Sequence, residues 1–291
     1  MTAIIFGANG QDGFYLDLLL KSKGFQVKGV SRSGDFLRTD IGDYKEVSEF
    51  ISANQPDLIF HLAANSTTRH DALFENHHTI ATGTLNILEA VKNFSPASKV
   101  FISGSGLQFK NVGRPIKETD GFEARDAYSI SRIQSVYAAR YYRGLGIRAY
   151  VGYFFNHDSP RRSERHMAKK IAAAAKRIAA GSTEKLEIGD MSVVKEWMYA
   201  GDVVRGVWQL VSQDKVFEAN IGSGAGHSIE EWVKACFGII HKDYRDYVTE
   251  KDDFKPEYQI LVSDPSVINA LGFTPQVSFL QLAQMMTDDK Q

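Results

Sequence analysis

One cysteine, Cys236, in 291 residues leaves no partner for an internal disulfide and suits a reducing compartment, so the cytoplasm is the expected location. No stretch approaches the ~18 consecutive apolar residues that a membrane-spanning helix requires. The apolar start, Met1-Thr2-Ala3-Ile4-Ile5-Phe6, runs straight into a glycine loop without a basic stretch or cleavage site, and reads as a buried strand. Dense basic runs are also missing. With 34 Lys and Arg against 35 Asp and Glu, the net charge is −1, which argues against nucleic acid as a partner. Metal-ligand spacing is lacking too: His77 and His78 are adjacent, point to different helix faces, and suit a surface or interface role. No metal is expected.

What is present is a chain long enough for a substantial core and an alternation of short apolar runs with amphipathic stretches. Strands are expected at Ala3–Phe6, Gln26–Ser31, Leu58–Leu62, Lys99–Ser103 and Arg148–Tyr153, with helices at about 13–23, 44–54, 75–93 and 127–144. That pattern predicts an α/β fold: a Rossmann-like, doubly wound parallel sheet over residues 1–155. Beyond about 155 the alternation breaks down. Proline and charge cluster at Asp158-Ser-Pro-Arg-Arg-Ser-Glu-Arg165, an alanine-rich helix follows through 167–180, and strands are expected near 185–188 and 216–221. Residues 156–291 are read as a smaller, mixed α/β C-terminal substrate lobe, with some segments returning to the first domain.

Gly7-Ala8-Asn9-Gly10-Gln11-Asp12-Gly13 follows the first strand and opens a helix, the context in which three spaced glycines cradle a dinucleotide pyrophosphate. The second strand should end beside the adenosine ribose, where an acid suits NAD and an arginine suits the 2′-phosphate of NADP. Val30-Ser31-Arg32-Ser33 offers Arg32 and no acid, which favours NADP, with Asp35 close enough to keep NAD open. Asp40 and Ile41 are placed beside the adenine, and Leu62, Ala63 and Ala64 where the backbone passes close to the cofactor.

Ser105 falls at the carboxyl edge of the sheet, where ligands of open α/β folds bind. Tyr128 and Arg132 lie four apart, on one face of the helix over 127–144. A phenol with pKa near ~10 is a poor proton carrier at neutral pH, and a neighbouring cation favours its charged form. Tyr128 is the candidate general acid or base, Ser105 the hydrogen-bond donor to a sugar oxygen, and Arg132 the tuning cation. Tyr137, Tyr141 and Tyr142 read as core or dimer interface.

These residues carry a family likeness. The chain resembles the extended short-chain dehydrogenases/reductases and, within them, the GDP-mannose 4,6-dehydratases and the related GDP-6-deoxy-4-keto-hexose reductases. Its most specific stretch is Phe155-Asn156-His157-Asp158-Ser159-Pro160-Arg161-Arg162, close to the Phe-Asn-His-Glu-Ser-Pro-Arg-Arg block of the dehydratases. Supporting stretches are Gly10–Leu16, His61–Ala64, Gly83–Ala90, Glu196-Trp197 and Ser263-Asp264-Pro265 through Pro275. The resemblance implies an NAD(P)-dependent reaction at C4 of a nucleotide-linked, GDP-type hexose, in a homodimer. It implies Ser105 and Tyr128 as the catalytic pair and Arg132 in the place of a lysine that also holds the nicotinamide ribose. Asn156 would contact the sugar nucleotide, Lys195 and Lys255 would grip its diphosphate, and His157 would pack or contact the cofactor.

Four departures from the family pattern bear on the reaction. Leu107 stands where the dehydratases carry the glutamate that takes the C5 proton, and losing a positioned acid or base typically costs ~10²–10⁴ in rate. Arg132 cannot give up its proton, so any relay through lysine's ammonium is closed. Lysine replaces arginine at 195 and 255, which keeps charge but loses bidentate grip. The loop after Arg32 is short. On these grounds the sequence favours a 4-keto-6-deoxy-sugar reductase. A 4,6-dehydratase recruiting Glu118 or Asp158, or a dinucleotide-binding protein with little turnover, stand as alternatives.

Overall fold

The computed structural model describes residues 1–288; residues 289–291, the end of the expected C-terminal lobe, lie outside the described residues. In chain order the first half runs β1 (Thr2–Phe6), α1 (Gln11–Ser22), β2 (Gln26–Val30), α2 (Tyr44–Asn54), β3 (Leu58–His61), α3 (Leu73–Asn76), α4 (Gly83–Phe94), β4 (Lys99–Ser105), α5 (Ala127–Gly144) and β5 (Arg148–Phe154). The second half runs β6 (His157–Asp158), α6 (Met167–Ala179), β7 (Leu186–Ile188), β8 (Val194–Glu196), β9 (Met198–Tyr199), α7 (Ala200–Val211), β10 (Glu218–Ile221), β11 (Gly226–Ser228), α8 (Ile229–Ile239), β12 (Val248–Glu250), β13 (Ile260–Leu261), α9 (Ser266–Ala270) and α10 (Phe279–Asp288).

Six strands pair in the order β10-β5-β4-β3-β1-β2, every pair parallel. The order reverses between β1 and β3, and ligands of such sheets bind at that switch point, beyond the carboxyl ends. Side-chain alternation divides the core between the two faces. Ile4 and Phe6 face Val47, Ile87, Val91 and Val136 of α2, α4 and α5, while Ala3 and Ile5 face Leu16, Leu20, Val203 and Val207 of α1 and α7. The doubly wound architecture expected from the alternation is therefore present.

Three local differences matter. β4 runs on to Ser105, which is thus the last residue of a strand. The helix expected over 75–93 begins at Leu73 and passes through a π-helical stretch, His77–Thr82, before α4. Beyond β2, a seventh strand is reduced to a single parallel bridge between Val30 and Leu37. The loop after Arg32 is correspondingly compact.

The sixth strand, β10, comes from beyond residue 155, and Glu218 at its start fastens it. Its carboxylate accepts from Arg140 Nε at 2.9 Å and Tyr153 Oη at 2.6 Å and pairs with Arg143, all from α5 and β5. Outside the sheet, α6, α8 and α10 enclose a second core in which Trp197 and Trp232 stack 4.5 Å apart. The joint between this lobe and the sheet is the buried Glu196, whose carboxylate accepts Ser263 N at 2.6 Å and Gly224 N at 3.2 Å. Unpaired, a carboxylate so deeply buried would be strongly destabilising. Among the described residues, no helix is long and apolar enough to cross a membrane.

Burial alone would raise the Glu218 pKa, but hydrogen bonds from Arg140, Tyr153 and Arg143 outweigh it and hold the group at about 2, against an ordinary 4.5. Because the unfolded chain binds this proton first, the contribution is fully present above 4.5 and is lost as pH falls toward 2, on the order of 2–3 kcal/mol. Glu218→Gln should therefore melt lower near neutral pH and lose less stability than the parent on acidification, as read from denaturant titrations across that window.

Candidate functional site

Backbone contact at the carboxyl end of β1 builds the glycine loop. Gly7 adopts φ +94°, and a Cβ there would sit 2.6 Å from Ala63 N. A Cβ on Gly13 would sit 2.4 Å from Gly7 O. Only glycine lets β1, the α1 N-terminus and the end of β3 approach this closely. The first-turn amides of α1 are thereby turned toward the crevice, where they favour an anion.

Two cavities meet at this loop. One, of about 380 Å³, is walled by Gly7, Gly10, Gln11, Asp12, Gly13, Leu62, Ala64, Ser105, Leu107, Tyr128, Arg132, Asn156, His157, Asp158 and Lys195, with Ser66–Thr68, Arg162, Arg165, His166 and Tyr258. The other, of about 650 Å³, is walled by Asn9, Ser31, Arg32, Ser33, Arg38, Asp40, Ile41, Ala63 and His78. Their shape and chemistry suit the nicotinamide and adenosine halves of a dinucleotide. The structure brings together the sequence-predicted site residues except Lys255, which is exposed and outside both walls, and the alternatives Asp35 and Glu118, which line neither. Arg38, His78, Arg165 and Tyr258 also line the cavities, and no motif in the sequence marks them.

Tyr128 owes its position to a helix cap. Asp126 accepts from the backbone N–H of Tyr128 and of Ser129, both at 2.8 Å, which starts α5 at this point and sets Tyr128 in its first turn. Ser105 Oγ accepts from Leu107 N at 3.2 Å and so keeps its own hydrogen for a ligand. Arg132 is only 3% exposed. Its guanidinium carbon lies 4.9 Å from the Tyr128 ring centroid, and one terminal nitrogen donates to the Ser103 carbonyl and, at 2.8 Å, to Ser103 Oγ. The cation is thus packed on the ring and tied to β4. Burial, and then Arg132, push the neighbouring His61 down to about 3, so that imidazole stays neutral.

Arg132 Nε and Asn156 Oδ1 are buried in the wall without a partner among the described residues. One donor and one acceptor are thus unsatisfied beside the cavity, and together with the glycine cradle they fit a dinucleotide and a polar co-substrate.

His157 does more than pack. Its Nε2 lies 2.9 Å from Asp12 Oδ1 and its Nδ1 2.7 Å from Phe155 O, while Ser159 Oγ donates to Gln11 Oε1 at 2.8 Å. Burial would lower the His157 pKa, but Asp12 more than reverses this and raises it; burial would raise Asp12, and His157 with Arg162 hold it below its ordinary value. The pair is therefore ionic. Asp158 is raised by burial against the pull of Arg162 and Lys195. Lys195 is lowered to about 8, by burial first and then by Arg162, against the opposing pull of Asp158. Of the two carboxylates considered as stand-ins at C5, Asp158 lines the cavity. Glu118 does not; it accepts Asn220 N at 2.7 Å.

On the adenosine side, Arg32 pairs with Glu75 at 2.8 Å, and Arg38 donates to Ser31 O at 2.8 Å and Gly34 O at 2.7 Å. Asp40 accepts Gly42 N and His78 Nε2, each at 2.9 Å. Asp35 does not reach this wall.

The family model described as GDP-mannose 4,6 dehydratase matches residues 31–286. The chain is 31% identical to GDP-mannose 4,6 dehydratase 2 of Arabidopsis thaliana, covering 99% of this chain and 86% of that protein. It is 28% identical to a GDP-mannose 4,6-dehydratase of Vibrio cholerae, covering 99% and 93%. Among solved structures, RMD from Pseudomonas aeruginosa complexed with NADPH superposes with a TM-score of 0.87 at 20% identity, covering 99% of this chain and 98% of that one. The dTDP-glucose 4,6-dehydratase of Bacillus anthracis in complex with NAD gives 0.86 at 18%, covering 99% and 96%.

Gly13→Ala should lose dinucleotide binding in calorimetric titration and cost about 1–3 kcal/mol of stability through overpacking. Gly238→Ala, in α8 with nothing within 4 Å of the added methyl, should bind as the parent does and gain up to about 1 kcal/mol.

Proposed function

The chain belongs to the GDP-mannose 4,6 dehydratase family of extended short-chain dehydrogenases/reductases and is an NAD(P)-dependent enzyme; from that premise we propose that it exchanges hydride at C4 of a GDP-linked hexose. The observation carrying this reading is the convergence of Ser105, Tyr128 and Arg132 on one cavity with the glycine loop.

A bound nicotinamide supplies or accepts the hydride. Tyr128 gives or takes the proton at the C4 oxygen, and Ser105 donates a hydrogen bond to that same oxygen. Arg132 holds a permanent positive charge against the ring and keeps one buried donor, Nε, without a partner among the described residues. Asn156 and Lys195 face the sugar nucleotide, with Lys195 offering charge to a phosphate. Arg32, Ser33 and Arg38 in the adenosine wall support NADP, and the pairing of Arg32 with Glu75 leaves NAD admissible.

The relatives support the 4,6-dehydratase reading ahead of the reductase that the sequence favoured. In that reaction C4 is oxidised, a C5 proton and the C6 hydroxyl leave as water, and C6 then gains the hydride taken from C4 while C5 regains a proton. In this reading Asp158 serves at C5, supported by its place in the cavity wall and by the burial that raises its pKa. One specific observation favours the second reading: Leu107, beside Ser105, cannot transfer a proton, and reduction of a 4-ketone needs no acid at that position. Exposure of Tyr137 (58%) and Tyr141 (65%) on α5 supports a homodimer formed through that helix.

Two assays separate the readings. GDP-mannose with NADP should yield a GDP-4-keto-6-deoxy sugar by mass spectrometry, and Asp158→Asn should abolish it. If that arm is silent and a GDP-4-keto-6-deoxy sugar instead consumes NADPH, the reductase reading holds. Silence in both arms overturns the C4 assignment. In whichever arm is active, Tyr128→Phe should lower turnover by roughly 10²–10⁴.

A further inference from the structure

Five residues are common to the walls of the two cavities: Gly7, Gly10, Leu62, Ala64 and Arg165. Four of them lie at the ends of β1 and β3. Arg165 alone comes from the segment 159–166 that leads into α6. It also borders a third cavity, of about 700 Å³, beside Asn65, Arg69, Asp71 and Glu75. The overlap of the first two cavities is where the pyrophosphate of a dinucleotide must cross from one half to the other. Arg165 borders that crossing from a segment separate from the glycine loop.

Other charges nearby are already engaged. Arg161 lies over the Phe14 ring, 3.8 Å from its centroid, and Arg162 pairs with Asp158 at 3.4 Å. Glu164 pairs with Arg177 at 2.9 Å, Asp71 with Arg69 at 2.5 Å, and Glu75 with Arg32 at 2.8 Å. The carboxylates that could have held Arg165 thus have partners of their own. Its Nε donates to His166 Nε2 at 3.2 Å, a role that requires a neutral imidazole. Burial, joined by Arg162 and Arg165, keeps His166 neutral by lowering it to about 4. The bond fixes the guanidinium at its inner nitrogen and leaves both terminal amino groups for a bidentate contact with phosphate oxygens.

We propose that Arg165 clamps the pyrophosphate of the dinucleotide, closing the groove from the lobe side against the glycine loop. The assignment rests on the reading of the two cavities as the dinucleotide site. Pyrophosphate is common to NAD and NADP, so the clamp does not distinguish them, and it is separate from the diphosphate of the sugar nucleotide.

Arg165 is exposed, so Arg165→Gln is expected to fold and to melt with the parent. Calorimetric titration should show its affinity for NADP and for NAD falling by the same factor, about 10- to 100-fold, with GDP affinity changed by less than about twofold. Arg165→Lys should recover part of the loss. A loss confined to NADP would move the residue to the 2′-phosphate, a loss confined to GDP would move it to the sugar nucleotide, and no loss would leave a solvated charge; each overturns the clamp. If the parent binds neither dinucleotide, the reading of the groove fails and takes the clamp with it. If the parent binds both and Arg165→Gln binds equally well, only the clamp is lost.

Discussion

The approach of three backbone segments at the end of β1 is the constraint on which the site depends. With Gly7 pressed against Ala63 and Gly13 against Gly7, the N-terminus of α1 is held at the switch point of the sheet. Everything else in the groove is placed relative to that contact. β3 ends beside the loop, β4 ends at Ser105 two strands from β1, and the Asp126 cap starts α5 where Tyr128 faces the same crevice. The two halves of the groove are joined there as well, since the cavity walls overlap at the glycines. A side chain on either glycine would part these segments by more than the groove can absorb.

This constraint accounts for what the sequence made legible. Glycine at 7, 10 and 13 after an apolar strand has few other uses, and Tyr128 four residues before Arg132 is read directly from helical periodicity. The strands of the first half follow from short continuous apolar runs, because the sheet is covered by helices on both faces and most of its strands are buried on both sides. Arg38, His78 and Arg165 were not legible, because their approach is set by irregular paths over 31–40 and 159–166 and by a π-helical turn, none of which has a period. Leu37, reduced to one bridge with Val30, carries Arg38 into the adenosine wall. Lys255, suggested by correspondence with a family position, lies on an exposed segment outside both cavity walls. Lys195 enters the site because a strand, β8, holds it.

The lobes are joined by polar contacts as well as by apolar packing, since Met198 and Leu261 enter the two cores of the sheet. Gln11 and Asp12 on α1 engage Ser159 and His157, and Glu196 gathers Ser263 and the 222–225 turn beneath β8. Buried charges of this kind are held by geometry, since removing one partner leaves the other unpaired. The first turn of α1, which faces the dinucleotide, is therefore mechanically joined to the strand that carries the sugar-side residues. The carboxylate of Asp12 sits near a site for anions without opposing them, because His157 and Arg162 neutralise it in place.

Arg132 and Lys195 show why the identity of a buried cation matters here. Both line the same cavity, and both are largely removed from water. Desolvation acts on each, yet with different results. Lysine responds by giving up stability of its charged form, so Lys195 falls to about 8 and can lose its proton close to neutral pH. Guanidinium cannot respond in that way, and its burial is instead compensated by the Ser103 carbonyl and hydroxyl and by the face of the Tyr128 ring. Its neighbour His61 stays neutral, lowered to about 3 by its own burial first and by the Arg132 charge second. A lysine at 132 would be a single flexible donor able to turn from Ser103 to a ligand. Arginine, anchored to β4 through a terminal nitrogen, trades that mobility for a fixed charge beside the phenol.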